Sequence, residues 1–383
     1  MLLSRLSQLM TPSSYTPLNT ITINIDALDH NFSHLTSLIP DQPLFPVLKS
    51  NAYGHGITLV AKQCAKRKPP LVIVENIPEY NHIKKIYPGT ILIMGESSPS
   101  NYRTLNHRRI HITVGSIELL KSLAQTHIPF SLHLFLDTGM SREGILLHEL
   151  PEALSIINQS SLHLAGYTTH LAMSEDTHHP YTQQQYKRFE EGLGILIRGG
   201  QHPRRIHCTN TGAADTSPPW CTARRAGKGL YGLHPWRNHD IQPSRTHDLR
   251  LALSRSATIT KTQDYPEGSA ISYNASYITK TATRLAVLPC GFFEGLPRCG
   301  SGKLIGIHKN GLCFQRGSIC MNTSIWEVPS QAAWGDTIHL LVPDQTSPSS
   351  LYAWARATQM LPSDILVHIN QGLRRSHIHD NQI

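Results

Sequence analysis

The chain has 383 residues, with 35 Lys plus Arg against 26 Asp plus Glu, a formal charge of +9. With 39% hydrophobic and 16% charged residues, wholesale disorder is excluded. At roughly 150 residues per domain the length asks for two or three domains, or for one barrel of about 250 residues and a smaller partner.

The first ten residues, Met1 to Met10, are too short and interrupted for a signal-peptide core and read as a short amphipathic extension, with 1–16 the expected flexible part. The alternating run at 20–25 stands apart from the strand–helix repeat after it and is available to a later β half. From 44 to 233, short apolar runs alternate with helix-like segments. The runs are 44–49, 71–75, 91–94, 111–114, 131–137, 162–170, 205–210 and 227–233, and several lack polar alternation, as strands buried on both faces do. Amphipathic patterns at 116–124, 147–157 and 181–197 predict helices between them. Eight such strands over about 200 residues point to a (β/α)8 barrel, with an open doubly wound sheet as the alternative. After 249 the rhythm turns to mostly β, with strands at 251–260, 282–288, 303–308, 312–315, 324–328 and 337–342 and a helix at 350–360. Lys309-Asn310-Gly311 predicts a type I′ hairpin. The expected domains are therefore a barrel over 1–248 and a β domain over 249–383.

The basic residues are scattered, Lys66-Arg67-Lys68, Arg108-Arg109, Arg204-Arg205 and Arg224-Arg225 among them. No aromatic-interleaved stripe, zinc-finger or RNP-type signature accompanies them, so nucleic acid is not an expected partner. Seven cysteines without a C-x-x-C pair suggest neither a disulfide framework nor a zinc site, and a reducing, cytoplasmic setting is expected. No H-E-x-x-H metal motif occurs, and no apolar run approaches 18 residues, so no membrane span is expected. Gly300-Ser301-Gly302-Lys303 is followed by Leu304 where a P-loop needs Ser or Thr.

Barrel active sites lie at the carboxyl ends of the strands. The first strand ends in Lys49-Ser50-Asn51-Ala52-Tyr53-Gly54-His55-Gly56. A lysine there starts in a partly desolvated place that suits Schiff-base chemistry, although a lone strand-end lysine usually just carries its amine to water. The glycines and Tyr53 after it can bring backbone amides and a hydroxyl to a phosphate.

This block resembles the cofactor-lysine motif of the alanine racemases, fold-type III pyridoxal-phosphate enzymes built from a barrel and a β domain. The resemblance runs over 20–375. Leu136-Asp137-Thr138-Gly139-Met140-Ser141-Arg142, Tyr167-Thr168-Thr169-His170, His207-Cys208-Thr209-Asn210-Thr211-Gly212-Ala213 and Arg224-Arg225-Ala226-Gly227-Lys228-Gly229-Leu230-Tyr231-Gly232 follow in the family's order. It implies pyridoxal 5′-phosphate held by Lys49, Tyr53, His170, Thr211, Arg225, Gly227, Lys228 and Tyr231. Arg225 would face the pyridine nitrogen, and Arg142 would approach the cofactor's phenolic oxygen and the substrate carboxylate. In the β half, Ile271-Ser272-Tyr273-Asn274-Ala275 resembles the block holding the second base, and Ser318-Ile319-Cys320-Met321-Asn322 one whose Met321 amide meets the carboxylate. Racemisation removes a proton on one face and returns it on the other, so two acid/base groups are needed, here Lys49 and Tyr273. The resemblance further implies a homodimer with shared sites and a role in supplying D-alanine for peptidoglycan precursors.

Four positions depart from the family pattern. Phe135 stands where many members carry a carbamylated lysine, Phe292 replaces a tyrosine, Asn322 replaces an aspartate, and Gln371 falls near a tyrosine gate. The departures bear on rate and on which amino acid is used more than on reaction type. An aldolase or decarboxylase on the same scaffold, and a decayed cofactor binder, are the alternatives.

Overall fold

The computed structural model describes residues 15–106, 108–234 and 248–380; the expected extension lies mostly outside them. Residues up to Asn24 together with those from Leu253 form one unit, and Ile25–Ala252 the other. No described helix is long and apolar enough to cross a membrane.

After β1 (Asn19–Asn24), which belongs to the β unit, the barrel unit begins with α1 (Ile25–Ser37) and β2 (Leu44–Pro46). It continues through α2 (Ile57–Arg67), β3 (Leu71–Val74), α3 (Ile77–Ile83), β4 (Thr90–Ile93), β5 (Ile110–Val114), α4 (Ile117–Ala124) and β6 (Ser131–Phe135). Then come α5 (Leu150–Asn158), β7 (His163–Thr168), α6 (Pro180–Arg198), β8 (Arg205–His207) and β9 (Arg224–Ala226). Strands β3 to β8 pair in parallel in that order, and β2 pairs with β9. A parallel bridge from Val47 to Ile73 joins β2 to β3, and the Arg225 amide donates to the Thr209 carbonyl at 3.2 Å beyond β8. The eight strands thus close into a (β/α)8 barrel, which settles the choice against an open sheet. All four β3 side chains are buried, and each apolar one contributes about 1.5–3 kcal/mol.

The eighth barrel strand is Arg224–Ala226, ahead of the expected 227–233, where Lys228–Tyr231 instead forms a 3-10 turn. Arg224, which the sequence groups with the surface bases, is fully buried. Its guanidinium donates to the carbonyls of Leu35, Thr36, Ile39, Gln42 and Ala214 at 2.7–3.3 Å. The Leu35 and Thr36 carbonyls belong to the last turn of α1, where helix carbonyls lack an intrahelical partner and attract a cation. It fastens α1 against the loop after β8.

In the β unit, β10 (Leu253–Thr258), β11 (Lys261–Tyr265), β14 (Thr283–Leu288), β15 (Ile305–His308), β16 (Gly311–Arg316), β17 (Ser324–Glu327), β18 (Thr337–Leu341) and β19 (Arg375–Ile378) join β1 in one nine-stranded sheet. The short pair β12 (Ala270–Ile271) and β13 (Tyr277–Ile278) flanks the 272–276 segment. Two helices follow β18, α7 (Leu351–Thr358) and α8 (Pro362–Val367). The β15–β16 hairpin is present, with His308 paired to Gly311, but its turn is not type I′. Neither Lys309 nor Asn310 takes positive φ; Gly311 does, at 144°. Glycine absorbs the unusual angle without the Cβ penalty that Lys309 would incur.

Candidate active site

Lys49 leaves the end of β2 and enters an unusual backbone turn. Ser50, Asn51, Ala52 and Tyr53 all have φ between 51° and 56°, a left-handed turn made by four non-glycine residues. Such angles cost about 1–2 kcal/mol per residue, so surrounding contacts must hold the turn. The Asn51 amide donates to Glu79 Oε1 at 3.2 Å, the Asn51 side-chain oxygen accepts from the Ile57 amide at 2.9 Å, and the Ala52 amide reaches the Leu48 carbonyl at 2.8 Å. Lys49 Nζ lies 3.0 Å from Glu75 Oε2 at the end of β3, a partner that no sequence signal indicated.

Lys49 faces a cavity of about 210 Å³ within the barrel unit. Lining it are Tyr53, Arg142, His170, Thr211, Arg225, Gly227 and Lys228, along with Phe135 and Met94. Of the barrel residues singled out from the sequence, Tyr231 alone is not among its lining side chains. Tyr231 is fully buried, packs on Tyr53 with centroids 5.1 Å apart, and donates its hydroxyl to the Val47 carbonyl at 2.8 Å. It therefore supports Tyr53 and the end of β2 from behind. Burial raises the Tyr53 phenol above its ordinary pKa, nearby Lys49 opposing and Glu75 adding.

The floor opposite Lys49 is made by short turns after β8 and β9. Asn210 caps the turn at Thr211–Ala213 through the Gly212 amide at 2.8 Å, and the Gly229 amide donates to Thr211 Oγ1 at 3.1 Å. A Cβ on Gly227 would sit 2.6 Å from the Tyr53 hydroxyl, so only glycine lets the phenol reach this place. Small residues and the hydroxyls of Tyr53 and Thr211 form a cradle fit for a small anion.

Arg225 is buried, with both terminal nitrogens of its guanidinium held by neighbours. Its NH1 lies 2.7 Å from Thr168 Oγ1, 2.8 Å from His207 Nδ1 and 2.7 Å from the His207 carbonyl. Its NH2 reaches the Thr169 carbonyl at 2.7 Å, the Cys208 carbonyl at 3.1 Å and His170 Nδ1 at 3.3 Å. Burial lowers the guanidinium to about 10, still charged at neutral pH. His170 is lowered to about 3, first by burial and then by Arg225, Arg142 and Lys49, so it is a neutral ring. Arg142 follows a loop folded about Asp137, whose Oδ1 accepts the Gly139 and Ser141 amides at 2.8 and 3.0 Å. Beside it lies buried Phe135, and Glu143 Oε1 is 3.6 Å from Arg142 Nε. No cluster of three His, Cys, Asp or Glu side chains fit for a metal ion occurs among the described residues.

In the β unit, Tyr273 is 69% exposed and Met321 58%. Their segments are stitched together: Ser272 Oγ donates to the Ser318 carbonyl at 2.9 Å, and the Ser318 amide donates to Ser276 Oγ at 2.9 Å. Phe292 is partly exposed under the Arg298 guanidinium, and Asn322 donates to Glu294 at 2.9 Å. Gln371 is exposed, its carbonyl accepting from Arg375 at 3.2 Å.

A closed barrel with a strand-end lysine, an anion cradle and a buried guanidinium on one cavity, joined in sequence to a β unit, defines the alanine racemase type of fold. Comparison with known proteins agrees. The family model for the alanine racemase N-terminal domain matches residues 23–235, and that for the C-terminal domain residues 252–377. The chain belongs to the alanine racemase family. An alanine racemase of Staphylococcus saprophyticus is 27% identical over 365 residues, covering 93% of each chain. An "alanine racemase 2" of Caldanaerobacter subterraneus is 25% identical over 375 residues, 95% of each. Among solved structures, alanine racemase of Clostridium difficile 630 superposes with a TM-score of 0.88 at 23% identity, over 96% of this chain and 97% of that one. The Bacillus anthracis enzyme with bound L-Ala-P gives 0.88 at 24%, with the same coverage.

Proposed function

We propose that the protein is a pyridoxal-phosphate-dependent racemase that interconverts L- and D-alanine with two bases. The observation that carries this reading is the convergence of Lys49, Arg142, His170, Thr211, Arg225 and Lys228 on one cavity. The residues fit the cofactor. Tyr53, which reaches the cradle only because Gly227 has no Cβ, would hold its phosphate together with Thr211 and the backbone at Gly227 and Lys228, and His170 would lie against its ring. When bound, the cofactor supplies an aldehyde for the amine and an electron sink for the carbanion at the α-carbon.

The chain's own groups do the rest. The Lys49 amine and the Tyr273 phenol take and return the α-proton from opposite faces. Arg225 stays charged at neutral pH and would face the ring nitrogen only as a donor, which would leave that nitrogen unprotonated and the sink weak. Arg142 and the Met321 amide hold the substrate carboxylate. Tyr273, so exposed in the single chain, is supplied by a second copy in a homodimer with shared sites. Seven free cysteines support a cytoplasmic place of action.

The test is incubation of the purified protein and cofactor with a panel of L-amino acids in deuterated water, following α-deuterium and the D-isomer. Alanine should exchange and invert. Exchange without inversion points to a one-base enzyme, release of carbon dioxide or an aldehyde to a decarboxylase or aldolase, and no exchange with any substrate to a decayed binder; each overturns the reading. Tyr273→Phe should keep the cofactor and slow proton transfer on one face by about 10²–10⁴-fold.

A further inference from the structure

Three histidines lie inside the barrel, on β5, β6 and β8, and none touches the cavity. His111 Nδ1 is 2.9 Å from His133 Nε2, and His133 Nδ1 is 2.8 Å from His207 Nε2. His207 Nδ1 in turn is 2.8 Å from Arg225 NH1. The row starts at the second residue of β5, where His111 is 9% exposed, and climbs to Arg225 on β9 with His133 and His207 fully buried. The strand between, β7, makes room for it: a Cβ on Gly166 would lie 2.5 Å from His133 Nδ1.

The chemistry of one end dictates the whole row. A guanidinium has donors and no acceptor. His207 Nδ1 also lies 3.0 Å from Thr168 Oγ1, but the nearer neighbour at 2.8 Å is Arg225 NH1, which can only donate, so Nδ1 accepts. A neutral His207 then carries its hydrogen on Nε2 and donates it to His133 Nδ1. His133 in turn must carry its hydrogen on Nε2 and donate to His111 Nδ1, which leaves His111 with Nε2–H toward the barrel floor. Burial and the nearby cations lower all three imidazoles, His111 to about 3, and so keep them neutral. A proton relay is ruled out, because the guanidinium can accept nothing from the row.

We propose that His207, His133 and His111 are positioning residues: a tautomer-ordered row that presents only acceptors to Arg225 and locks its guanidinium toward the cavity. This rests on the racemase reading, in which Arg225 faces the cofactor. Were the row broken, His207 Nε2–H would lose its acceptor on His133, and His207 could take its hydrogen on Nδ1, donate it to Thr168 Oγ1 and withdraw an acceptor from Arg225.

The test uses the full chain with its cofactor, labelled with ¹⁵N-histidine. Long-range ¹H–¹⁵N spectra between about pH 5 and 8 should show His111, His133 and His207 as neutral Nε2–H tautomers. An Nδ1–H signal from any of the three overturns the proposal. Gly166→Ala and His133→Phe should give His207 a mixed tautomer signal. The same variants should lower kcat for alanine about tenfold or more while KM changes by less than about twofold. An unchanged His207 signal and kcat in a folded variant also overturns it. Should neither variant fold, His111→Leu at the partly open end carries the same expectation. If the protein turns over no alanine at all, the racemase reading fails while the tautomer spectra still decide the row.

Discussion

Gly227→Ala is the sharpest probe of the anion cradle. The new Cβ would stand 2.6 Å from the Tyr53 hydroxyl and 3.2 Å from Cζ, whereas ordinary contact begins at 3.4 Å. The phenol must therefore retreat by about 0.8 Å, the difference between 3.4 and 2.6 Å. It has little freedom to do so, since the ring packs on Tyr231 and the Tyr53 backbone sits in the left-handed turn at φ 51°. Overpacking of this kind costs about 1–3 kcal/mol. In a unit of this size each kcal/mol lowers Tm by about 2–4 °C. On the proposed cofactor reading, moving the Tyr53 hydroxyl away from the phosphate should remove a further 1.5–3 kcal/mol or so of binding, roughly a ten- to hundredfold weaker Kd. Urea unfolding and a cofactor titration, each with and without Tyr53→Phe, separate the terms. Without the hydroxyl oxygen the nearest Tyr53 atom is Cζ at 3.2 Å, which a small shift relieves. Gly227→Ala should then cost under about 1 kcal/mol. Equal costs in both backgrounds, within about 0.5 kcal/mol, would refute the clash.

Glu75→Gln removes the carboxylate 3.0 Å from Lys49. Because the pair is partly exposed, stability should change by under about 1 kcal/mol, while cofactor attachment, followed by its absorbance, becomes faster; an unchanged attachment rate would sink the pairing. Arg224→Leu strips donors from five carbonyls and should cost about 3 kcal/mol or more, read as a large fall in Tm, and a wild-type Tm would contradict the assignment. His111 and His170, lowered to about 3 in the fold, stay neutral while the unfolded chain takes up protons below about 6.5. Stability should therefore hold above that pH and fall by up to about 1.4 kcal/mol per pH unit for each histidine as pH drops toward 5, and His111→Gln should flatten the slope of urea midpoints against pH.

The sequence by itself determined the alternation of buried strands and helices, the change to β rhythm after 249, and the motif blocks that bring Lys49, Arg142, His170, Thr211 and Arg225 to strand ends. These are local signals, because a strand-end position and a short motif are properties of neighbouring residues. Only the tertiary structure decided what each group meets. Arg224 and Arg225 are adjacent and chemically identical, yet one is held by carbonyls around the end of α1 and the other faces the cavity, because successive residues of a strand point to opposite sides. Tyr231 sits beside the cradle in sequence, but its hydroxyl serves the Val47 carbonyl. Glu75 meets Lys49 only because β2 and β3 are neighbours. The histidine row joins residues 22 and 74 positions apart, and no periodicity in the chain records that β5, β6 and β8 aim their imidazoles at one axis past a glycine on β7. The +9 charge divides the same way: the count is in the sequence, but burial turns Arg224 into a fastening for α1 and Arg225 into the fixed cation of the site.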